Sequence, residues 1–196
     1  MSKAVHPYGA WPSTVLAETL AEGNYRYGHM QMHQGSLYFV VTTPESDGKP
    51  QLFQAQPDNS ISPVPLGGHA LKSRVHEYGG GEFLVCPAGI VFSSVEDSRL
   101  YLKQGEQLVP LTPVPESTHA LRYADATYWP DANALIAVCE HHSEQGISNY
   151  LAMIPLDGSL QVSALVEGAD HYASPRVSPD GQKLCWLQWR QPNMPW

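Results

Sequence analysis

The sequence predicts an all-β protein, and three observations carry that expectation. Seven short apolar runs, "GSLYFVV", "GEFLVC", "AGIVFSS", "RLYLK", "ALIAVC", "YLAMIPL" and "KLCWLQW", are each bounded by turn-forming residues, which is the pattern of strands at hairpin spacing. The 17 prolines and 16 glycines are spread along the chain, as punctuation between short elements requires. A short phrase recurs, "RYG" at Tyr27, "EYG" at Tyr78, "RYA" at Tyr123 and "HYA" at Tyr172, at intervals of 51, 45 and 49 residues.

Residues 1–24 form an N-terminal segment with the one helical pattern. Ser13 offers a side-chain cap, Thr14–Ala21 ("TVLAETLA") supplies good helix formers, and Gly23 supplies a left-handed stop. Residues 25–196 then divide into units of about 25–70, 71–115, 120–168 and 170–196. Each unit has a strand after its tyrosine phrase, a turn ("HQGS", "CPAG", "WPDANA" or "SPDGQ"), and a stronger apolar strand beginning near Leu37, Ile90, Leu135 or Leu184. The first three continue into two more strands: "QLFQAQ" and "ISPVPL", "RLYLKQ" and "QLVPLT", "YLAMIPL" and "VSALVEG".

Four strands per 45–50 residues is the spacing of a β-propeller blade. Blades pack face to face, so an inner strand buried on both faces is apolar almost without alternation, as "LYFVV" and "ALIAVC" are. The expected architecture is a partial β-propeller of about three and a half four-stranded antiparallel blades with one short N-terminal helix. Rings need about four to eight blades, so the rest of the ring is expected to lie outside this chain.

Eleven basic against nineteen acidic residues give a net charge of −8, and the basic residues form no stripe, which speaks against a nucleic-acid partner. No apolar run reaches the roughly 18 residues of a membrane helix, and the N-terminus has no signal-peptide pattern. The three cysteines, Cys86, Cys139 and Cys185, sit in apolar stretches and read as buried free thiols of a cytoplasmic protein. No cofactor or metal is expected.

The stretch "SRVHEYGGGEFLV", Ser73–Val85, is the densest in chemistry. It is not a phosphate cradle, because a strand and not a helix follows the glycines. Gly79, Gly80 and Gly81 read as the close approach of an innermost strand to its neighbours. For Arg74, His76, Glu77 and Tyr78 two readings stand. They line the substrate channel and contact a peptide's amine or carboxylate, or Arg74 and Glu77 form a local ion pair while Tyr78 packs between blades. No serine has the nucleophile-elbow pattern: Ser148 has Gly146 two residues before it but Tyr150 two residues after. "CEHHSE", Cys139–Glu144, carries zinc-ligand residue types, but His141 and His142 on one strand point to opposite faces, so a solvated strand end is expected. Asp170 and His171 read as a turn before a strand, with channel lining as the alternative. Tyr8, Trp11, Trp186, Trp189 and Trp196 read as packing residues, Trp186 in a buried strand and Trp11 stapling the helix to the blades.

The phrases "YGAWPS", "SRVHEYGGGEF", "LTP", "RYAD", "IPLDG", "SPRVSPDGQKLCWLQW" and "QPNMPW" together resemble the N-terminal β-propeller of prolyl oligopeptidase family serine peptidases, in the acylaminoacyl peptidase and dipeptidyl aminopeptidase branch. The resemblance implies a propeller of commonly about seven or eight blades over a downstream α/β-hydrolase domain. That domain holds the Ser, Asp and His of the triad, and the propeller admits or positions short peptides. No catalytic residue carries over, because no position of this chain matches the triad motifs. The chain is therefore expected to be inactive by itself, with the missing blades and the hydrolase domain as partners and homo-oligomers forming through exposed blades. The competing reading is a free-standing propeller-like protein-interaction module.

Overall fold

The computed structural model describes residues 4–21 and 23–195. A single α-helix, α1 (Ala17–Ala21), precedes the strands. It is shorter than the sequence predicts. Ser13 accepts the N–H of Val15 and so closes a local turn, while Val15 and Leu16 are exposed, with no blade to hold them helical.

Three four-stranded antiparallel sheets follow in chain order. They are β1 (Arg26–His33), β2 (Ser36–Thr42), β3 (Gln51–Ala55) and β4 (Ile61–Pro63); β5 (Phe83–Cys86), β6 (Gly89–Ser93), β7 (Leu100–Gln104) and β8 (Gln107–Pro110); and β9 (Leu121–Trp129), β10 (Ala134–Ser143), β11 (Gly146–Pro155) and β12 (Ser163–Val166). A two-stranded sheet of β13 (His171–Val177) and β14 (Leu184–Trp189) completes the set. Within each sheet consecutive strands are neighbours, so this is a partial propeller of three and a half blades.

The core lies between blades, in three clusters. Val40 and Leu52 of blade 1 meet Phe83, Val85 and Phe92 of blade 2. Val91 and Leu102 of blade 2 meet Leu135, Ala137 and Ile154 of blade 3. Ile136, Val138 and Leu151 meet Val75, Ala169 and Tyr172. Strand β10 thus sends Leu135, Ala137 and Cys139 to one neighbour and Ile136 and Val138 to the other, which is why its apolar run has no polar alternation.

The last strand corrects a sequence expectation. Leu184 and Trp186 of β14 pack on the third cluster, but Cys185 and Leu187 point the other way and are exposed. Among the described residues no further sheet covers that face, and strand alternation leaves every second residue open. Cys86 and Cys139 are buried; all three thiols are free. Trp11 is likewise no staple: it is exposed, and its ring pairs with that of His6 in the same N-terminal segment.

Each innermost strand bends at the same place. Bulges fall at Gly28–His29 in β1, Asp125–Ala126 in β9 and Ser174–Pro175 in β13, and Gly81–Glu82 precede β5 at the matching position. Counted from these bulges the four repeat tyrosines do not align. Tyr123 and Tyr172 stand two residues before the bulge and are buried, whereas Tyr27 stands one before and is exposed. A shift of one residue turns a side chain to the other face.

Candidate functional site

The residues singled out before β5 sit on a 3-10 turn, Val75–Glu77, whose backbone is unusual. His76 (φ 54°) and Glu77 (φ 67°) are consecutive non-glycine residues in the left-handed region. Each costs about 1–3 kcal/mol and persists only where surroundings over-determine it. Here they do. Glu140 of β10 accepts the His76 N–H at 2.8 Å, and Arg122 of β9 donates from Nη1 to the Arg74 carbonyl at 3.0 Å and to Glu77 Oε1 at 2.6 Å. Arg122 and Glu140 are themselves buried, 7% and 4% exposed, and pair at 3.0 Å. His142 adds a 2.6 Å contact to Glu140 Oε1. The turn of blade 2 is therefore fixed by an ion-pair network rooted in blade 3. The Arg122 guanidinium, helped by that of Arg74, holds the Glu77 carboxyl down at about 2.

The turn opens onto a cleft of about 820 Å³ where blades 2, 3 and 4 meet, lined among others by His76, Tyr78, Asn149, His171 and Trp189. Four polar atoms on this wall are buried without a hydrogen-bond partner: His76 Nε2, Asn149 Oδ1, His171 Nδ1 and Trp189 Nε1. Natural interiors leave few such atoms, so their gathering in residues around one cleft sets this wall apart from the rest of the core. The rings of His76 and His171 meet edge-on at 4.8 Å, and His171 stacks on Trp189 at 5.2 Å. Burial lowers the His76 pKa, opposed chiefly by the charge of the Glu140 carboxylate.

The structure thus divides the sequence candidates. Arg74 makes the local ion pair with Glu77, at 3.0 Å, and does not line the cleft; His76, Glu77 and Tyr78 do. Tyr78 is 74% exposed at the mouth and does not pack between blades. Asp170 closes the bend before β13 and His171 begins that strand, as the turn reading expects, and both line the same cleft. In "CEHHSE" the two histidines do diverge, yet Glu140 is buried in the network and not solvated. Among the described residues no three His, Cys, Asp or Glu side chains are placed to hold a metal ion. Trp186 is a packing residue, Trp189 is cleft wall, and Trp196 lies outside the described residues. Sequence reasoning missed Arg122 and Asn149. The signal was faint: a basic residue inside the second recurrence of a phrase whose previous copy carries glutamate.

The glycines behind the turn act as expected. A Cβ on Gly80 would stand 2.9 Å from Ala124 Cβ, and one on Gly81 would stand 2.9 Å from Asp125 Oδ1. Gln31 stitches blades 1 and 2 in the same inner region, its amide both donating to and accepting from the Val85 backbone, at 2.6 and 2.8 Å.

Solved structures superpose on almost the whole chain. A puromycin-hydrolyzing peptidase of Mycobacterium tuberculosis superposes with a TM-score of 0.87 at 33% identity, over 99% of this chain and 32% of that one. A puromycin hydrolase gives 0.84 at 30% identity, over 99% of this chain and 32% of that one. These structural neighbours are peptidases of the prolyl oligopeptidase family. This partial propeller spans about a third of the length of the peptidases it matches. TolB from Acinetobacter baumannii, 14% identical over 81% of this chain and 36% of that one, with a TM-score of 0.53, shares the fold alone. No protein-family model matches the sequence, and no curated protein does. Among the described residues no helix is long and apolar enough to cross a membrane.

Proposed function

We propose that this chain is the N-terminal propeller portion of a cytoplasmic serine peptidase and that it admits and positions short peptides for an α/β-hydrolase domain carried by further sequence. The observation that carries the reading is the strained His76–Glu77 turn, fixed at the wall of a cleft whose lining residues include four with a buried, unpaired polar atom. Strain of this kind collects at ligand clamps. The family supplies the chemistry: the relatives are puromycin-hydrolyzing peptidases about three times as long. Three free cysteines suit a reducing compartment.

In the intact peptidase, His76→Ala and Trp189→Phe should raise KM for tripeptides by about tenfold, the scale of one lost hydrogen bond, with kcat nearly unchanged. Loss confined to kcat would overturn the positioning role. A fluorophosphonate probe should label the intact peptidase and leave this chain unlabelled.

A second reading, a free-standing interaction module, draws on the open face of blade 1. There Tyr27, Phe39 and Phe53 form an aromatic ladder across three strands, and Met30 and Met32 of β1 are exposed. Faces of this kind associate, so the isolated chain is expected to form dimers or larger species in sedimentation. A strictly monomeric particle would count against that expectation. Both readings separate on the transcript: further blades and a G-x-S-x-G elbow in frame support the peptidase.

A further inference from the structure

Strand β11 has an edge that its own blade leaves open. Its whole length, Gly146–Pro155, pairs with β10, but β12 pairs only with Leu151, Ala152 and Met153. The hairpin of β10 and β11 therefore overhangs the sheet, and Ile147, Ser148 and Asn149 form one wall of the cleft.

The direction of the free backbone groups follows from the ladder. His142 donates its N–H to the Ala120 carbonyl, away from β11. In an antiparallel pair, directly opposed residues turn their N–H and C=O groups either both toward each other or both away. Ile147 lies opposite His142, so its groups turn away from β10, and by strand alternation so do those of Asn149. Among the described residues no strand or loop backbone takes them up. An extended peptide is what such an edge accepts.

Charge narrows the occupant. Glu77 and Glu140 line the cleft but are neutralised by Arg122 and Arg74, whereas Glu167 and Asp170, also on its wall, meet no lysine or arginine among the described residues. We propose that a short, extended, positively charged peptide adds as a strand to the β11 edge at Ile147–Asn149, with its positive charge against Glu167 and Asp170. The proposal deepens the peptide-positioning reading and rests on it. It assigns main-chain recognition to β11 and charge preference to the acidic rim, so sequence demands on the peptide are few.

The test is calorimetric titration of the chain with Lys-Ala-Val amide, with Glu-Ala-Val amide, and with forms of the first N-methylated at each peptide bond in turn. The lysine peptide should bind about tenfold more tightly than the glutamate peptide, and N-methylation at the edge-facing amide should weaken binding about tenfold, the scale of one hydrogen bond. Ile147→Pro removes an N–H that the β10 ladder does not use, so the fold should persist while binding falls by at least that factor. Ile147→Ala should bind within about threefold of the original, since it keeps the backbone groups. If Ile147→Pro misfolds, the N-methylated peptides decide on the unmodified chain. Equal binding of methylated and unmethylated peptides overturns strand addition and leaves the positioning reading standing. No measurable binding of any peptide overturns both.

Discussion

Asp125 and Gly81 bind each other twice across the boundary between blades 2 and 3. The Gly81 N–H donates to Asp125 Oδ1 at 2.6 Å, and the Asp125 N–H donates to the Gly81 carbonyl at 2.9 Å. The second carboxylate oxygen, Oδ2, accepts the Ser174 N–H from blade 4 at 3.1 Å. One side chain on a bulge therefore ties three blades together near their innermost strands.

Removing that clasp should loosen the blades against each other. Asp125→Ala loses two charge-assisted bonds, each worth about 1.5–3 kcal/mol, and should destabilise by about 3–6 kcal/mol in urea unfolding. Asp125→Asn tolerates the left-handed backbone (φ 54°) but turns an N–H donor on one of the two amides, and should cost about 1–2 kcal/mol. Equal stability of the alanine variant and the original chain would show that the apolar clusters alone hold the blades.

Arg122 and Glu140 are expected to behave as a coupled pair. Arg122→Met leaves the Glu140 carboxylate buried beside His142 without its guanidinium, a change that costs about 3–5 kcal/mol. Adding Glu140→Gln should restore more than half of the loss, because the double variant buries no lone charge. Simple additivity in urea midpoints would refute the coupling.

Acid should act through Glu77. Its carboxyl is held at about 2 by Arg122 and Arg74, against an ordinary value of 4.5, so the folded state keeps it ionised where the unfolded chain protonates it. Its contribution is complete above about pH 4.5 and fades as pH falls toward 2. Glu77→Gln should therefore flatten the fall in stability over that window. His76 works higher on the scale: burial lowers its pKa from 6.5, so its contribution is complete above 6.5 and declines below. Urea midpoints from pH 7 to 2.5 read both effects, and an unchanged profile for Glu77→Gln would remove Glu77 from the account.

Thiol labelling checks the one-sided burial of β14. Cys185 is exposed and should react with a disulfide reagent at once, while burial raises the pKa of Cys86 and pushes that of Cys139 up to about 12. One fast thiol and two that need denaturant are expected. Three slow thiols would mean that the outer face of β14 is covered.

Local pattern determined the blades. The strands, the turns between them and the doubly buried β10 follow from turn chemistry and hydrophobic period, which act over a few residues. The glycines before β5 were legible too, because close backbone approach excludes any Cβ. Tertiary structure alone decided the rest. Whether a tyrosine of the repeat is buried, like Tyr123, or exposed, like Tyr27, depends on its offset from a bulge, and nothing in the phrase marks the bulge. The cleft gathers His76, Asn149, His171 and Trp189 from three blades, and the Arg122 network that aims the first of them joins residues far apart in the chain. Such meetings are fixed by how twisted sheets stack around an axis, a relation between distant segments that no local sequence signal carries.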